Sequence, residues 1–417
     1  MRIPQKVIRF VAWWQESPRG ISVVARVLHF IFAVRRRLPG PKGILLIFTG
    51  AVGDMVSLSP VLRELARQHP EIHLGMMVKG AGTGVSVKGC PHIDRIVEFC
   101  IYEDTRFKWW EALKAICRIT RRRQYETAIL TMGTGWVPQY RVWGLLLLYA
   151  SGAKRRIAFR DECAPWLSAS GPISVLPLAN EVIDATEPQR TERFLGLFQE
   201  AGLLSPPLCA NTQVWITEDD LLEVAQLDDC FARTRTGKPV VLIFPGIGSG
   251  PGKRWSAGRY IKVIDELVAV YGARVFLDGA DRDRPLCRRI AALTRNCTSL
   301  AGSHSVGALP ALVGRADLVV ASDSGPIHIA AATGTPAVAI FGPTDPRIWA
   351  PKSSSVIALR ITDCPPCNNP FFCDRQPPFS CTADVQTADV LQACRRLLLA
   401  RLDETEGRNK SAVQCGE

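Results

Sequence analysis

From about residue 44 to 395, short apolar runs alternate with longer amphipathic stretches. Ile44–Phe48, Ile72–Val78, Thr127–Thr131, Pro239–Phe244, Arg274–Leu277, Asp317–Ala321 and Ala337–Phe341 read as strands, several of them unbroken apolar runs of the kind buried on both faces of a parallel sheet. Helices are expected between them over Lys108–Arg121, Val142–Tyr149, from Ser256 to about Val270, and over Pro326–Thr333 up to Gly334. The first helix, running to about Gln68, has two readings: Ser59-Pro60 caps it, or Pro60 sits inside a helix that starts near Asp54. Such alternation predicts doubly wound α/β architecture. A stretch rich in Pro and acidic residues separates two runs of similar size, and no repeat of 20–50 residues is present. The expected organisation is an extension (1–43), an α/β domain (44–202), a linker (203–238), a second α/β domain (239–383), a closing helix (384–402) and a flexible tail (403–417). The two Rossmann-like domains are expected to face each other across a cleft.

Composition sharpens this picture at the N-terminus. The chain has 417 residues with 47% hydrophobic and 22% charged, a globular profile that excludes a largely disordered or collagen-like protein. Residues 1–43 carry nine Lys/Arg against the single acid Glu16, so +8 of the formal +12 resides there. A nucleic-acid binder would place its positive surface on the folded domains, so no nucleic-acid partner is expected. Within 7–34, bulky apolar residues including Trp13 and Trp14 are interleaved with arginines, and Arg35-Arg36-Arg37 closes the segment. That composition suits a helix lying in the headgroup layer of an anionic membrane; a helix packed on the domain with solvated arginines is the alternative. The segment is too short and interrupted to span a bilayer and lacks the pattern of a secretory leader. A reducing cytoplasm with mostly free thiols is therefore expected for the 14 cysteines.

In open α/β sheets ligands bind beyond the carboxyl ends of the strands, which directs attention to four strand-to-helix loops. In Ser322–His328, Pro326 suits the first helical position and Ser324 or Gly325 can cap. Free N–H groups and the helix dipole there favour a diphosphate, whereas Asp323 could equally be an ordinary capping residue. The Gly-rich Phe244–Trp255 lets backbone approach a ligand while Lys253 reaches a phosphate oxygen; it matches neither a Walker A nor a dinucleotide fingerprint. Gly279–Asp283 places carboxylates where ribose hydroxyls could be held. Gly50–Asp54 brings Gly53 and a lone carboxylate, Asp54, to the end of the first strand, where it is either a general base or a cap.

Together these residues resemble glycosyltransferase family 9, the ADP-heptose:lipopolysaccharide heptosyltransferases and their relatives. Asp323–Pro336 followed by Ala337–Pro346 is similar to the family's D-T/S-G-P-x-H-x-A-A-A-x-G-T-P … FGPTDP signature. Gly53-Asp54-Met55 with Pro60, and Lys253-Arg254-Trp255, match two further family motifs in order, so the resemblance covers about residues 44–395. It implies a GT-B fold with the acceptor bound by the N-terminal domain and the nucleotide sugar by the C-terminal one. It also implies Asp54 as catalytic base, Lys253 at the donor phosphates, Asp283 near the ribose, and Asp323 at the transferred sugar. Ser324, Gly325 and Pro326 would then stand at the diphosphate, with His328 nearby. The family inverts anomeric configuration in one displacement and needs no metal or other cofactor. The implied partners are a nucleotide sugar such as ADP-heptose and a lipid-linked saccharide, with the enzyme cytoplasmic and peripheral on the inner face of the membrane.

Other features stand apart from those motifs. On position alone, Met132–Trp136 with Arg141 lines the acceptor side, so Trp136 and Arg141 join Gly53 there. Arg121-Arg122-Arg123 is read as a solvated run in preference to a phosphate contact. Cys364, Cys367, Cys373 and Cys381 fall within 18 residues and form a candidate structural zinc set. Their spacing is not a paired CxxC…CxxC, and free or reversibly oxidised thiols are the preferred reading. A nucleotide-sugar epimerase and a non-catalytic nucleotide-sugar or membrane-binding module are the competing functions.

Overall fold

The computed structural model describes residues 43–99, 102–103, 106–107, 109–120, 125–131, 138–160, 179–184, 187–227, 238–246, 248 and 250–414. These residues divide into two compact units. One holds the described residues up to Ala51, then Pro60–Glu187 and Glu192–Ala210; the other holds Val52–Ser59, Pro188–Thr191 and the chain from Asn211 onward. Among the described residues no helix is long and apolar enough to cross a membrane.

In the first unit, β1 (Gly43–Phe48), β2 (His73–Lys79), β3 (Arg95–Phe99), β4 (Thr127–Leu130), β5 (Arg155–Arg160) and β6 (Glu181–Asp184) form one sheet. Their order is β3-β2-β1-β4-β5-β6 and every pairing is parallel. All six residues of β1 are buried, which is why its sequence is an unbroken apolar run and shows no alternation. Helix α1 (Val52–Gln68) follows β1 with Pro60 inside it, the second of the two readings of this segment. The Val56 carbonyl, which an N–H at position 60 would have bonded, is instead met by the Ser59 hydroxyl at 2.7 Å. Ser59 Oγ in turn accepts from the Gln213 N–H at 2.8 Å, so the proline leaves no buried carbonyl unmet. Helix α2 (Arg190–Glu200) begins in the Pro188–Thr191 stretch counted with the second unit.

The second unit repeats the arrangement with β7 (Val240–Phe244), β8 (Arg274–Leu277), β9 (Cys297–Ser299), β10 (Leu318–Ser322), β11 (Ala337–Ile340) and β12 (Val356–Leu359). The order is β9-β8-β7-β10-β11-β12, again all parallel. Both β7 and β10 are buried along their whole length, each aliphatic side chain contributing roughly 1.5–3 kcal/mol. Helix α3 (Ala257–Tyr271) is capped by Ser256, whose hydroxyl accepts from the Arg259 N–H, and ends at Gly272 in the left-handed region. Helix α4 (Gly325–Thr333) follows β10, and α5 (Thr387–Gln414) closes the chain. In both sheets the strand order reverses between the first and fourth strands, and the crevice beyond that switch point is where such sheets hold ligands.

Two sequence expectations differ from the structure. The acidic stretch read as linker contains a helix, Glu218–Ala225, opened by a capping box between Thr217 and Asp220. Its acids, Glu218, Asp219 and Asp220, sit in the first turn, where the helix dipole favours negative charge. The closing helix also runs past residue 402 to Gln414, through the stretch expected to be a flexible tail.

Candidate active site

The site grows from the two loops at the switch point of the second unit. After β7 the chain passes Gly250, with φ of +79°, into a 3-10 turn at Pro251–Lys253. Trp255 anchors the end of this loop. It is buried, donates from Nε1 to the Val385 carbonyl at 3.1 Å, and meets Tyr260 edge-on at 4.8 Å. The Gly252 N–H donates to Pro370 O at 2.9 Å and its carbonyl accepts from the Thr382 hydroxyl, so the loop is clamped on both sides. This holds Lys253 Nζ 2.6 Å from Asp323 Oδ2, both side chains being nearly buried. Asp323 Oδ2 also accepts from the Thr344 hydroxyl at 2.7 Å, and the Asp323 N–H donates to Ile340 O at 2.9 Å.

Beyond Asp323 the chain turns into α4, with Gly325 first and Pro326 in the opening turn. The Ser324 side chain does not cap this helix; its hydroxyl turns back to the Ser322 carbonyl at 2.8 Å. His328, near the start of α4, is buried against the first turn of α1. A Cβ on Gly53 would lie 2.8 Å from His328 Cδ2 and 3.3 Å from Gly325 Cα, so this approach needs a glycine. Ser57 Oγ donates to the Gly53 carbonyl at 3.2 Å, which leaves its oxygen to accept from His328 Nδ1 at 3.4 Å. Burial pushes the imidazole below its ordinary pKa, leaving it neutral. Around it the charges of Asp323 and Asp54 act upward and those of Lys253 and Arg190 downward. Asp54, next to Gly53, is paired through Oδ1 with Arg190 Nη2 at 3.4 Å. Two carboxylates and two cations thus surround one neutral histidine.

The residues read from the sequence divide accordingly. Gly53, Asp54, Lys253, Asp323 and His328 are brought together, and Ser324, Gly325 and Pro326 form the turn beside them. Asp283 belongs to the neighbouring loop. Its carboxylate accepts from the Ala280 N–H at 3.1 Å and lies where a Cβ on Gly246 would come within 2.4 Å of it, next to the Gly-rich loop. Trp136, Arg121–Arg123 and residues 1–42 lie outside the described residues; Arg141 belongs to the helix Pro138–Ala150, with its side chain outside the description. Arg190, Ser57, Thr344 and Trp349 escaped the sequence reading. No local signal marks Arg190, because the first turn of its helix already carries the acid Glu192.

The four clustered cysteines are free thiols, Cys364 and Cys381 buried and Cys367 exposed. Burial pushes the Cys381 thiol up to about 11, and neighbouring Cys364, Cys367 and Cys373 add to the rise. Among the described residues no three His, Cys, Asp or Glu side chains are grouped to hold a metal ion. The segment also holds the Gly-rich loop: the Pro370 carbonyl and the Thr382 hydroxyl are the two clamps on Gly252.

Comparison with known proteins identifies the family and the fold. Residues 144–370 match the model of glycosyltransferase family 9 (heptosyltransferase). The chain is 26% identical over 330 residues to lipooligosaccharide heptosyltransferase 2 of Haemophilus ducreyi, covering 77% of this chain and 89% of that protein. Its fold is similar to a glycosyl transferase family 9 structure from Veillonella parvula, with TM-score 0.69 and 18% identity over 87% of this chain and 99% of that one. It is likewise similar to the E. coli ADP-heptose lps heptosyltransferase II, with TM-score 0.64 and 22% identity over 86% and 99% of the two chains. The fold is therefore the α/β, two-domain GT-B type, and the protein is a glycosyltransferase. More narrowly, the chain belongs to glycosyltransferase family 9.

Proposed function

We propose that this enzyme transfers heptose from ADP-heptose to a lipopolysaccharide core or a related lipid-linked saccharide, with inversion at the anomeric carbon. The observation that carries the reading is the convergence of Asp54, Lys253, Asp323 and His328 at one switch point. The names of the relatives, lipooligosaccharide heptosyltransferase 2 and ADP-heptose lps heptosyltransferase II, support the choice of donor and acceptor.

In this reading Asp54 takes the proton of the acceptor hydroxyl as that oxygen attacks the anomeric carbon. The bond from that carbon to the ADP oxygen breaks, and negative charge grows on the leaving diphosphate. Lys253 and the N-terminus of α4 at Ser324–Ile327 meet that charge, the role a metal cation fills in other transferases. Asp323 holds Lys253 in place and faces the transferred sugar, and Asp283 takes the ribose. Neutral His328 contributes bulk and hydrogen bonding without adding charge. Gly53, Trp136 and Arg141 belong to the acceptor side, and no cofactor or metal takes part. The basic segment 1–43 holds the enzyme on the anionic inner face of the cytoplasmic membrane, near a lipid-linked acceptor.

Calorimetric titration with ADP, UDP, GDP, CMP and ADP-heptose, in EDTA, tests the donor assignment. Selective binding of ADP and ADP-heptose is expected; preference for UDP or GDP would overturn it. Asp54→Asn should leave ADP affinity nearly intact while lowering kcat by roughly 10²–10⁴-fold. Turnover close to wild type would remove Asp54 from the mechanism. Sedimentation with phosphatidylglycerol vesicles should require residues 1–43, and equal binding by the truncated chain would refute the membrane role.

A further inference from the structure

We propose that Arg190 is the positioning residue of the Asp54 base, holding its carboxylate in one orientation through Oδ1. This rests on the reading of Asp54 as the base.

Arg190 is held from several directions. Arg190 is the first residue of α2, and the residue before it caps that helix: Gln189 Oε1 accepts from the Thr191 N–H at 2.8 Å. The Gln189 amide also donates to the Ala350 carbonyl at 3.2 Å, tying the helix start to the chain just past Trp349. The Arg190 guanidinium lies over the Trp349 ring, 5.0 Å from its centroid, and Trp349 Nε1 donates to Asn368 Oδ1 at 3.1 Å. The residues flanking Arg190 and the ring it stacks on are thus each held by a separate contact.

The Arg190 side chain is 3% exposed and carries a charge that cannot be titrated away at any working pH. A buried cation in the first turn of a helix opposes the dipole, and an acid beside it offsets that penalty. Asp54 Oδ1 stands 3.4 Å from Nη2, a separation of charge pairing more than of a short hydrogen bond. The Asp54 side chain is 18% exposed, so this carboxylate is paired inward yet still reachable.

A guanidinium neither accepts nor releases a proton during turnover, so Arg190 does not share the proton transfer itself. Its part is exerted through Asp54. A carboxylate base works when one lone pair meets the departing proton in line, and a misplacement of about 1 Å can cost about 10²-fold in rate. Anchoring one oxygen fixes the plane of the carboxylate and therefore the direction of the other.

The experiment is a double-mutant cycle on the full chain with Arg190→Met and Asp54→Asn. Turnover is followed as ADP released from ADP-heptose with a lipooligosaccharide acceptor truncated before its heptose. Arg190→Met alone should lower kcat by about 10–100-fold. KM for the donor and ADP affinity by calorimetry should change less than about twofold, the uniform-binding contribution being intact. In the Asp54→Asn background the same substitution should cost nothing further. Arg190→Lys, which keeps the charge but not the planar fork, should restore part of kcat, and thermal melts identify any variant that fails to fold. Equal losses of kcat in both backgrounds, or loss of ADP affinity, would overturn the proposal while leaving Asp54 as the base. Near-normal turnover by Asp54→Asn alone would instead overturn the base assignment, and this inference with it. Should Arg190→Met fail to fold, the cycle is run with Arg190→Lys, and additivity there counts equally against the proposal.

Discussion

Replacing Gly53 by alanine adds one methyl group at the closest approach between α1 and α4. That Cβ would stand 2.8 Å from His328 Cδ2, whereas ordinary contact begins near 3.4 Å, so the ring must retreat by about 0.6 Å. His328 is buried and already faces Ser57 Oγ at 3.4 Å, and Gly325 Cα closes the other side at 3.3 Å from the new methyl. Overpacking of this kind costs about 1–3 kcal/mol, and a shift of that size at the reacting centre should lower kcat about tenfold or more. Gly258 is the control: it lies in α3, is exposed, and a Cβ there meets nothing within 4 Å. Gly258→Ala should leave kcat unchanged and stabilise by up to about 1 kcal/mol, because alanine loses less backbone entropy on folding. Denaturant unfolding and steady-state kinetics on both variants give the comparison. Wild-type stability and kcat in Gly53→Ala would refute the packing argument and, with it, the claim that this glycine shapes the site.

Lys253→Met leaves Asp323 nearly buried without the ammonium it faces at 2.6 Å, and should cost about 3–5 kcal/mol together with a loss of ADP affinity. Adding Asp323→Asn should return part of the stability but none of the ADP affinity, and unchanged stability in Lys253→Met would contradict the pair's importance. His304 places Nε2 2.9 Å from Asp278 Oδ2 and Nδ1 2.9 Å from the Ser305 carbonyl, so both nitrogens face acceptors and the protonated ring is favoured. Burial lowers its pKa, but Asp278, the Ser305 carbonyl and Glu223 outweigh it and the net shift is upward. A raised folded-state pKa means this stabilisation is complete below about pH 6.5 and is lost as pH climbs through the folded-state value. Melting temperatures from pH 6 to 9 should fall more steeply for wild type than for His304→Gln; parallel curves would refute the pairing.

Local chemistry made the strands and loops legible in the amino-acid sequence. Unbroken apolar runs such as Ile44–Phe48 and Pro239–Phe244 have no exposed face to satisfy, so they announce buried parallel strands, and alternation with helices leaves few topologies. Gly, Pro and Asp at strand ends mark the loops whose backbone must turn sharply, and the resemblance to the family's motifs then singled out Gly53, Asp54, Lys253, Asp323 and His328 within them. Strand order, the closure of Lys253 on Asp323, and the role of Ser324 as a hydroxyl turned back on Ser322 were decided by tertiary structure. So was the fate of Pro60, which remains inside α1 because Ser59 and Gln213 complete its hydrogen bonding. Arg190 shows the physical reason most clearly. It is 136 residues from Asp54 along the chain, and no local propensity couples two charges so far apart. Packing takes the guanidinium out of water and sets the partly exposed carboxylate beside it, and that pairing exists in the folded molecule alone.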